Sequence, residues 1–135
     1  MICLDNDIFS RYASERSYPA VDQYLADHAG DAWILSAVVL FEYLKRYDSH
    51  SAIQTHRLNA EQSVDGIADL NTDVAMEAAT LRAGLTTADT SLDLADVLIA
   101  ATAREYGATL VTANENDFDK RPIHELVDVY TVDVA

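Results

Sequence analysis

The chain has 135 residues, half of them apolar, which suits one domain with one core. Asp and Glu number 23 against 9 Lys and Arg, a net charge of −14; this balance excludes a protein that grips nucleic acid through a non-specific basic surface. A single Cys excludes a disulfide framework, and the longest apolar stretch, residues 32–41, is too short to span a bilayer.

The opening Met-Ile-Cys-Leu-Asp has no basic leader and meets an acid at once, which points to the cytoplasm. Cys3 reads as a small buried apolar residue. No linker, low-complexity tract or repeat divides the chain, so residues 1–135 are expected to form a single domain. The acids are spread along the whole sequence rather than gathered in a tail. That spread favours adaptation to a salt-rich cytosol, where the Debye length falls to about 3 Å at molar salt.

Residues 1–4 read as a short buried strand, and 6–13 as a helix with Ile8, Phe9 and Tyr12 on one stripe. A second helix is expected over 18–28, with Pro19 in its first turn. A turn at Gly30-Asp31 leads to a strand at 32–35. Ser36 then caps a helix whose core positions are Leu40, Phe41, Leu44 and Tyr47. A more polar helix follows over 51–63, and 66–70 reads as a short strand. Asn71 or Thr72 caps a helix that Gly84 ends, and 86–91 is a polar loop. Ser91 or Asp93 starts the strongest helix, which closes near Tyr106 on Gly107. A strand at 108–112, a loop or short turn at 114–122 and a strand at 127–132 complete the chain.

Strands alternating with helices imply an α/β domain with a mostly parallel sheet covered on both faces. Ligands of such folds bind beyond the carboxyl ends of the strands. Asp5 and the segment from Thr112 to Asp117 leave strand carboxyl ends. Glu42 and Asp96 sit on early helical turns, which return to the same edge. Topology therefore brings Asp5, Glu42, Asp96 and Asp117 together. At about 5 Å and an effective dielectric near 20, each like-charge pair costs roughly 3 kcal/mol. Such a cluster binds cations or takes up protons, and hard oxygen donors select Mg²⁺ or Mn²⁺. The His residues at 28, 50, 56 and 124 have no zinc-ligand spacing.

Four segments, in order, resemble the PIN-domain family of metal-dependent ribonucleases. Leu4-Asp5-Asn6-Asp7-Ile8-Phe9-Ser10 is similar to the family's Leu-Asp-Thr-Asn opening, with Asp7 replacing the usual Asn. Phe41-Glu42-Tyr43-Leu44 resembles the helix that carries the family's Glu, and the stretch Asp96-Val97-Leu98-Ile99-Ala100-Ala101-Thr102-Ala103 is close to its most recognisable segment. The run from Leu110 to Phe118 resembles the strand and loop that close the site. Size and motif order resemble the toxins of VapBC-type toxin–antitoxin pairs. The resemblance covers essentially the whole chain and implies a three-layer α/β/α domain.

It also implies a catalytic and metal-holding quartet of Asp5, Glu42, Asp96 and Asp117, with Thr112 and Asn114 as polar neighbours. Family members carry their fourth acid at the position of Asn114 or at that of Asp117; here only Asp117 is acidic. The implied activity is cleavage of RNA to 5′-phosphate and 3′-hydroxyl ends. The implied partners are RNA, a cognate antitoxin and a second copy of the chain, joined through exposed apolar residues of the early helices. Asp93 reads as a neighbour of the ligands or as a helix cap, and Asp7 as a site acid or a loop anchor. Lys45 and Arg46 follow Glu42, and Arg11, Lys120 and Arg121 flank the other motifs; each is a candidate for the RNA backbone or a solvated base.

Two other readings compete. A haloacid-dehalogenase-like phosphatase would use Asp5-Asn6-Asp7 as Asp-x-Asp, but Phe9 and the late Lys120 break its pattern. A PIN-like adaptor that binds protein or RNA without cutting would be expected to have lost acids that this chain keeps.

Overall fold

The computed structural model describes residues 1–134. Five strands form one sheet: β1 (Ile2–Leu4), β2 (Trp33–Ser36), β3 (Gly66–Ala68), β4 (Thr109–Thr112) and β5 (Val129–Thr131). Their order is β3-β2-β1-β4-β5, and every neighbouring pair is parallel. All three residues of β1 are buried. A central strand buried on both faces needs helices on both sides, and the fold is the expected three-layer α/β/α arrangement.

The helices are α1 (Asn6–Ala13), α2 (Pro19–Asp27), α3 (Ala37–Leu44), α4 (His50–Ser63), α5 (Thr72–Thr87), α6 (Leu94–Glu105), α7 (Glu115–Phe118) and α8 (Arg121–Leu126). Polar side chains cap six of them, those of Asp5 at α1 and Asn114 at α7 included. The side chains of Ser36, Ser49, Asn71 and Asp93 accept the N–H of Val39, Ala52, Val74 and Asp96 respectively, each satisfying a donor that the helix leaves unpaired. The main core gathers Leu4, Phe9, Leu35, Leu81, Ile99, Leu110, Phe118 and Ile123 around the sheet. A smaller one joins Val74 and Ala78 of α5 to Val97 and Ala101 of α6, where small side chains let the helices approach closely.

The chain leaves β1 toward β2 and β3 on one side, then returns to β4 and β5 on the other. The strand order therefore reverses between β1 and β4, which makes a crevice at their carboxyl ends. Backbone bonds fix this edge: Asp5 N–H donates to Val111 O at 2.9 Å, and Val132 N–H to Thr112 O at 2.8 Å.

Three expectations need correction. Gly84 does not end α5, which runs on to Thr87. A Cβ at Gly84 would lie 3.1 Å from Leu126 Cδ1, so this glycine serves the approach of α8 to α5 rather than a turn. The segment 114–122, expected as a loop or short turn, holds the single helical turn α7 and also the start of α8, whose first turn contains Pro122. Phe41 is not a core residue: it is 65% exposed, while Val39 and Tyr43 of the same helix are buried. Among the described residues no helix is long and apolar enough to cross a membrane.

Candidate active site

Asp5 sits where β1 ends and α1 begins, and only 6% of it is exposed. One carboxylate oxygen accepts the Asn6 N–H at 2.8 Å. The other accepts the Thr112 hydroxyl at 2.8 Å. Thr112 ends β4 and is wholly buried. The carboxylate is thus pinned across the switch point by a helix start on one side and a neighbouring strand on the other.

Asp7 lies in the first turn of α1 and closes the crevice. Its carboxylate accepts the Ala113 N–H at 3.1 Å and stands 3.3 Å from the Thr112 hydroxyl. It therefore holds the β4–α7 loop, the role foreseen as one of its two. Beyond that loop, Asn114 Oδ1 caps α7 by accepting the Asp117 N–H at 3.2 Å, and its Nδ2 donates to Asp117 Oδ2 at 2.8 Å. Asn114 and Asp117 thus form one unit, with the amide orienting an exposed carboxylate.

Asp96 lies in the first turn of α6, and Asp93 caps that helix through the Asp96 N–H at 3.0 Å. Glu42, on α3, is half-buried. Charge couples these acids into one site. Burial first, then Asp7, pushes the Asp5 carboxyl up to about 7, with Glu42 adding a smaller push; the bonds from Thr112 and Asn6 oppose it. Burial, then Asp93 and Asp5, pushes Asp96 up to about 7, and Asp117 adds to it. Burial also raises Asp7, against the Ala113 N–H and Arg11. Glu42 is raised by burial and held back by Lys45. Charge thus links the four predicted acids to one another through Asp7 and Asp93 as well as directly.

Among the described residues no three His, Cys, Asp or Glu side chains stand as a ready-made ligand group. The donor set is nevertheless all hard oxygen, and its mutual repulsion is what a bound cation would relieve. Mg²⁺ commonly keeps several waters and takes only one or two carboxylates from protein. The residues present fit such an ion.

The predicted bases divide. Arg11 Nη1 donates to Asp7 O at 2.8 Å. Arg46 donates from Nε to Tyr43 O at 3.0 Å and from Nη2 to Ser10 Oγ at 2.8 Å, with its guanidinium 4.8 Å from the Tyr43 ring centroid. Lys45 caps α3 and acts on Glu42. Arg121 is tied instead to Glu125 at 2.9 Å, and Lys120 is the exposed residue before α8. Sequence reasoning missed Ser10, whose hydroxyl donates to Asn6 Oδ1 at 2.9 Å and links α1 to Arg46. Its spacing of four from Asn6 was the available signal. The large exposed apolar side chains include Phe41, Met76 and Leu94; of the first two helices only Tyr12 joins them.

The family model described as the PIN domain matches residues 2–123. Comparison with curated protein sequences gives no match. Among solved structures, the VapBC2 complex from Rickettsia felis, bound to a DNA fragment from its promoter, is similar at a TM-score of 0.76 and 23% identity, covering 98% of this chain and 100% of that one. FitAcB from Neisseria gonorrhoeae is similar at 0.75 and 22%, covering 97% of each chain. VapC20 from Mycobacterium tuberculosis, a toxin that cleaves the sarcin–ricin loop, is similar at 0.58 and 14%, covering 82% of this chain and 87% of that one.

Proposed function

Because the chain belongs to the PIN-domain family, we propose that it is a metal-dependent endoribonuclease, the toxin of a type II toxin–antitoxin pair. The observation that carries this reading is the acid set at the β1/β4 switch point, where Asp7 and Glu42 push on the buried Asp5 carboxyl, and Asp93, Asp5 and Asp117 push on that of Asp96. Similarity to toxin–antitoxin complexes supports the antitoxin partner, and similarity to a toxin that cuts the sarcin–ricin loop supports RNA as substrate.

Asp5, Glu42, Asp96 and Asp117 would hold Mg²⁺ or Mn²⁺, which supplies charge neutralisation at a phosphate and a lowered pKa for water. The protein's own part is to fix the donors. Thr112 spends its proton on Asp5, so that the carboxylate's direction is set before substrate arrives. Asp93 and Asn114 fix the backbone and side chain of Asp96 and Asp117. Asp7 closes the loop that carries Asn114. Asp117, exposed at the rim, is the carboxylate best placed to orient an incoming water or accept its proton.

The test is cleavage of total cellular RNA by the purified protein with Mn²⁺ or Mg²⁺ at high salt. Asp96→Asn should lose more than the roughly 10–100-fold typical of removing an outer partner of a metal site. A chelator should abolish the rest, and end-mapping should find 5′-phosphates. If the intact protein binds RNA but cuts under no metal or salt condition, it is a PIN-like adaptor instead. Sedimentation checks the expected homodimer.

A further inference from the structure

A pocket of about 380 Å³ opens between the carboxyl-terminal ends of α1 and α3, lined by Ser10, Arg11, Ser14, Tyr18, Arg46 and Tyr47 among others. That volume lies within the range of small-ligand sites, about 300–1,000 Å³. Its lining contains no Asp or Glu, in a chain with 23 of them.

Its arginines are held in an unusual way for this molecule. Arg57, Arg104 and Arg121 are each paired with a glutamate. Neither Arg11 nor Arg46 makes a salt bridge among the described residues; they hydrogen-bond the neutral acceptors Asp7 O, Tyr43 O and Ser10 Oγ, and the charge of Arg11 also acts on the Asp7 carboxyl. Each guanidinium carries five N–H donors in a fixed fork. Arg11 uses one of these and Arg46 two, so orientation is fixed while most of the donors remain unspent. Arg11 Nε is buried and makes no hydrogen bond. Outside the lining, Arg16 places its guanidinium 5.7 Å from the ring centroid of Tyr18, where Arg11 stands at 5.5 Å.

We propose that this pocket is a phosphodiester subsite for the RNA strand, in which Arg11 and Arg46 together take one backbone phosphate flanking the bond that is cut. The assignment rests on the ribonuclease reading and names where that strand is held. Continuity argues for RNA over an acidic peptide. Asp5, Asn6, Ser10 and Arg46 form an unbroken chain of hydrogen bonds from the acid cluster to the pocket. Arg11 lies six positions after Asp5, about 9 Å along the axis of α1. At about 3.4 Å per stacked nucleotide, that is within about three nucleotides of the crevice. The forked guanidinium matches phosphate geometry, and the Tyr18 and Tyr47 rings offer base-stacking surface beside it. A strand whose scissile phosphate enters an acid cluster needs such a cationic hold next to it.

The experiment is fluorescence anisotropy of a short fluorescein-labelled single-stranded RNA of mixed sequence, in EDTA across a salt series, with folding checked by circular dichroism. Arg11→Gln/Arg46→Gln should weaken binding about tenfold or more and lower the slope of log affinity against log salt by about 0.7, the value for one lost phosphate. Ala13→Glu puts a carboxylate at the exposed rim without removing an arginine, so it keeps the test decisive if the double variant misfolds; it should weaken binding in the same direction. In the metal-loaded cleavage assay the variants should raise KM more than they lower kcat. Asp96→Asn should lose cutting and keep binding. Unchanged RNA binding in the folded pocket variants, with Asp96→Asn still inactive, overturns the subsite and leaves the nuclease standing. Wild-type protein that neither binds nor cuts RNA overturns both. Pocket variants that bind RNA normally but lose a co-expressed antitoxin make this a protein-docking site, and the RNA assignment falls.

Discussion

Asp7 stands where the family opening usually carries Asn, and its work here is one an amide could share: accepting the Ala113 N–H at 3.1 Å. What Asn would not bring is the negative charge that pushes on Asp5. Asp7→Asn should therefore keep the loop and cleavage within a few-fold, and raise the melting temperature of the metal-free protein. Asp7→Ala should lose the loop anchor and about 1–3 kcal/mol in denaturant unfolding, the penalty for an orphaned buried donor. Equal loss of activity in both variants would instead make Asp7 a direct metal ligand. The acids also set a pH dependence. An ordinary Asp titrates near 3.9, whereas Asp5 and Asp96 are raised to about 7. Between about pH 4 and 7 the native state then binds more protons than the unfolded chain, so stability from these groups falls as pH rises through that window. The metal-free protein should melt lower near pH 8 than near pH 5. Asp5→Asn should flatten that slope. Mn²⁺ should raise the melting temperature more at the higher pH, because protons compete for its ligands. A metal-free melting temperature that ignores pH would contradict the burial and repulsion that raise these two carboxyls.

Two glycines, alike as letters, do different work at the scale of elements. Gly107 follows α6 with φ +62° and empty space where a Cβ would go. Its demand is conformational, so Gly107→Ala should cost about 1–2 kcal/mol by chemical denaturation. Gly84 is inside α5, and its demand is room for Leu126. Leu126 is a flexible, partly buried side chain, so at Gly84→Ala its shift should roughly offset the gain of about 1 kcal/mol in helix propensity. A larger Gly84→Val should destabilise by about 1–3 kcal/mol through overpacking. If alanine proves the more harmful at Gly84 than at Gly107, the two assignments are reversed. The same logic of contact over propensity explains α8: Ile123 is fully buried, and that burial draws residues 121–126 into a helix against α5 rather than leaving a loop.

Across the whole molecule, 23 acids against 9 bases leave a net charge of −14 that must be screened or repel. Few of the bases are spent on close pairs: Arg57–Glu61, Arg104–Glu77 and Arg121–Glu125 are the Arg–carboxylate bridges among the described residues. Melting temperature should therefore climb with KCl toward molar concentrations, where the Debye length is about 3 Å. A fold and activity that stay unchanged from molar to low salt would refute adaptation to a salt-rich cytosol.

Periodicity and punctuation in the sequence determined the alternation of strands and helices, and with it the parallel sheet and the edge at which Asp5 and the segment from Thr112 to Asp117 leave their strands. These are local signals: apolar spacing, the cap Ser36, a cap at Asn71 or Thr72 and another at Ser91 or Asp93, which the structure places on Asn71 and Asp93, and Gly107 at a helix end. The motif order carried the family as well. Only the tertiary structure decided what each side chain touches, because that depends on residues distant in sequence. It gave Asp7 to the Ala113 N–H, 106 positions away, and Thr112 to Asp5, 107 positions away. It turned Phe41 outward from an apolar stripe, ran α5 through Gly84, and sent Arg46 to Ser10 of α1. Spacing along one helix says which residues share a face; what lies opposite that face is set by packing, and packing is a property of the whole chain.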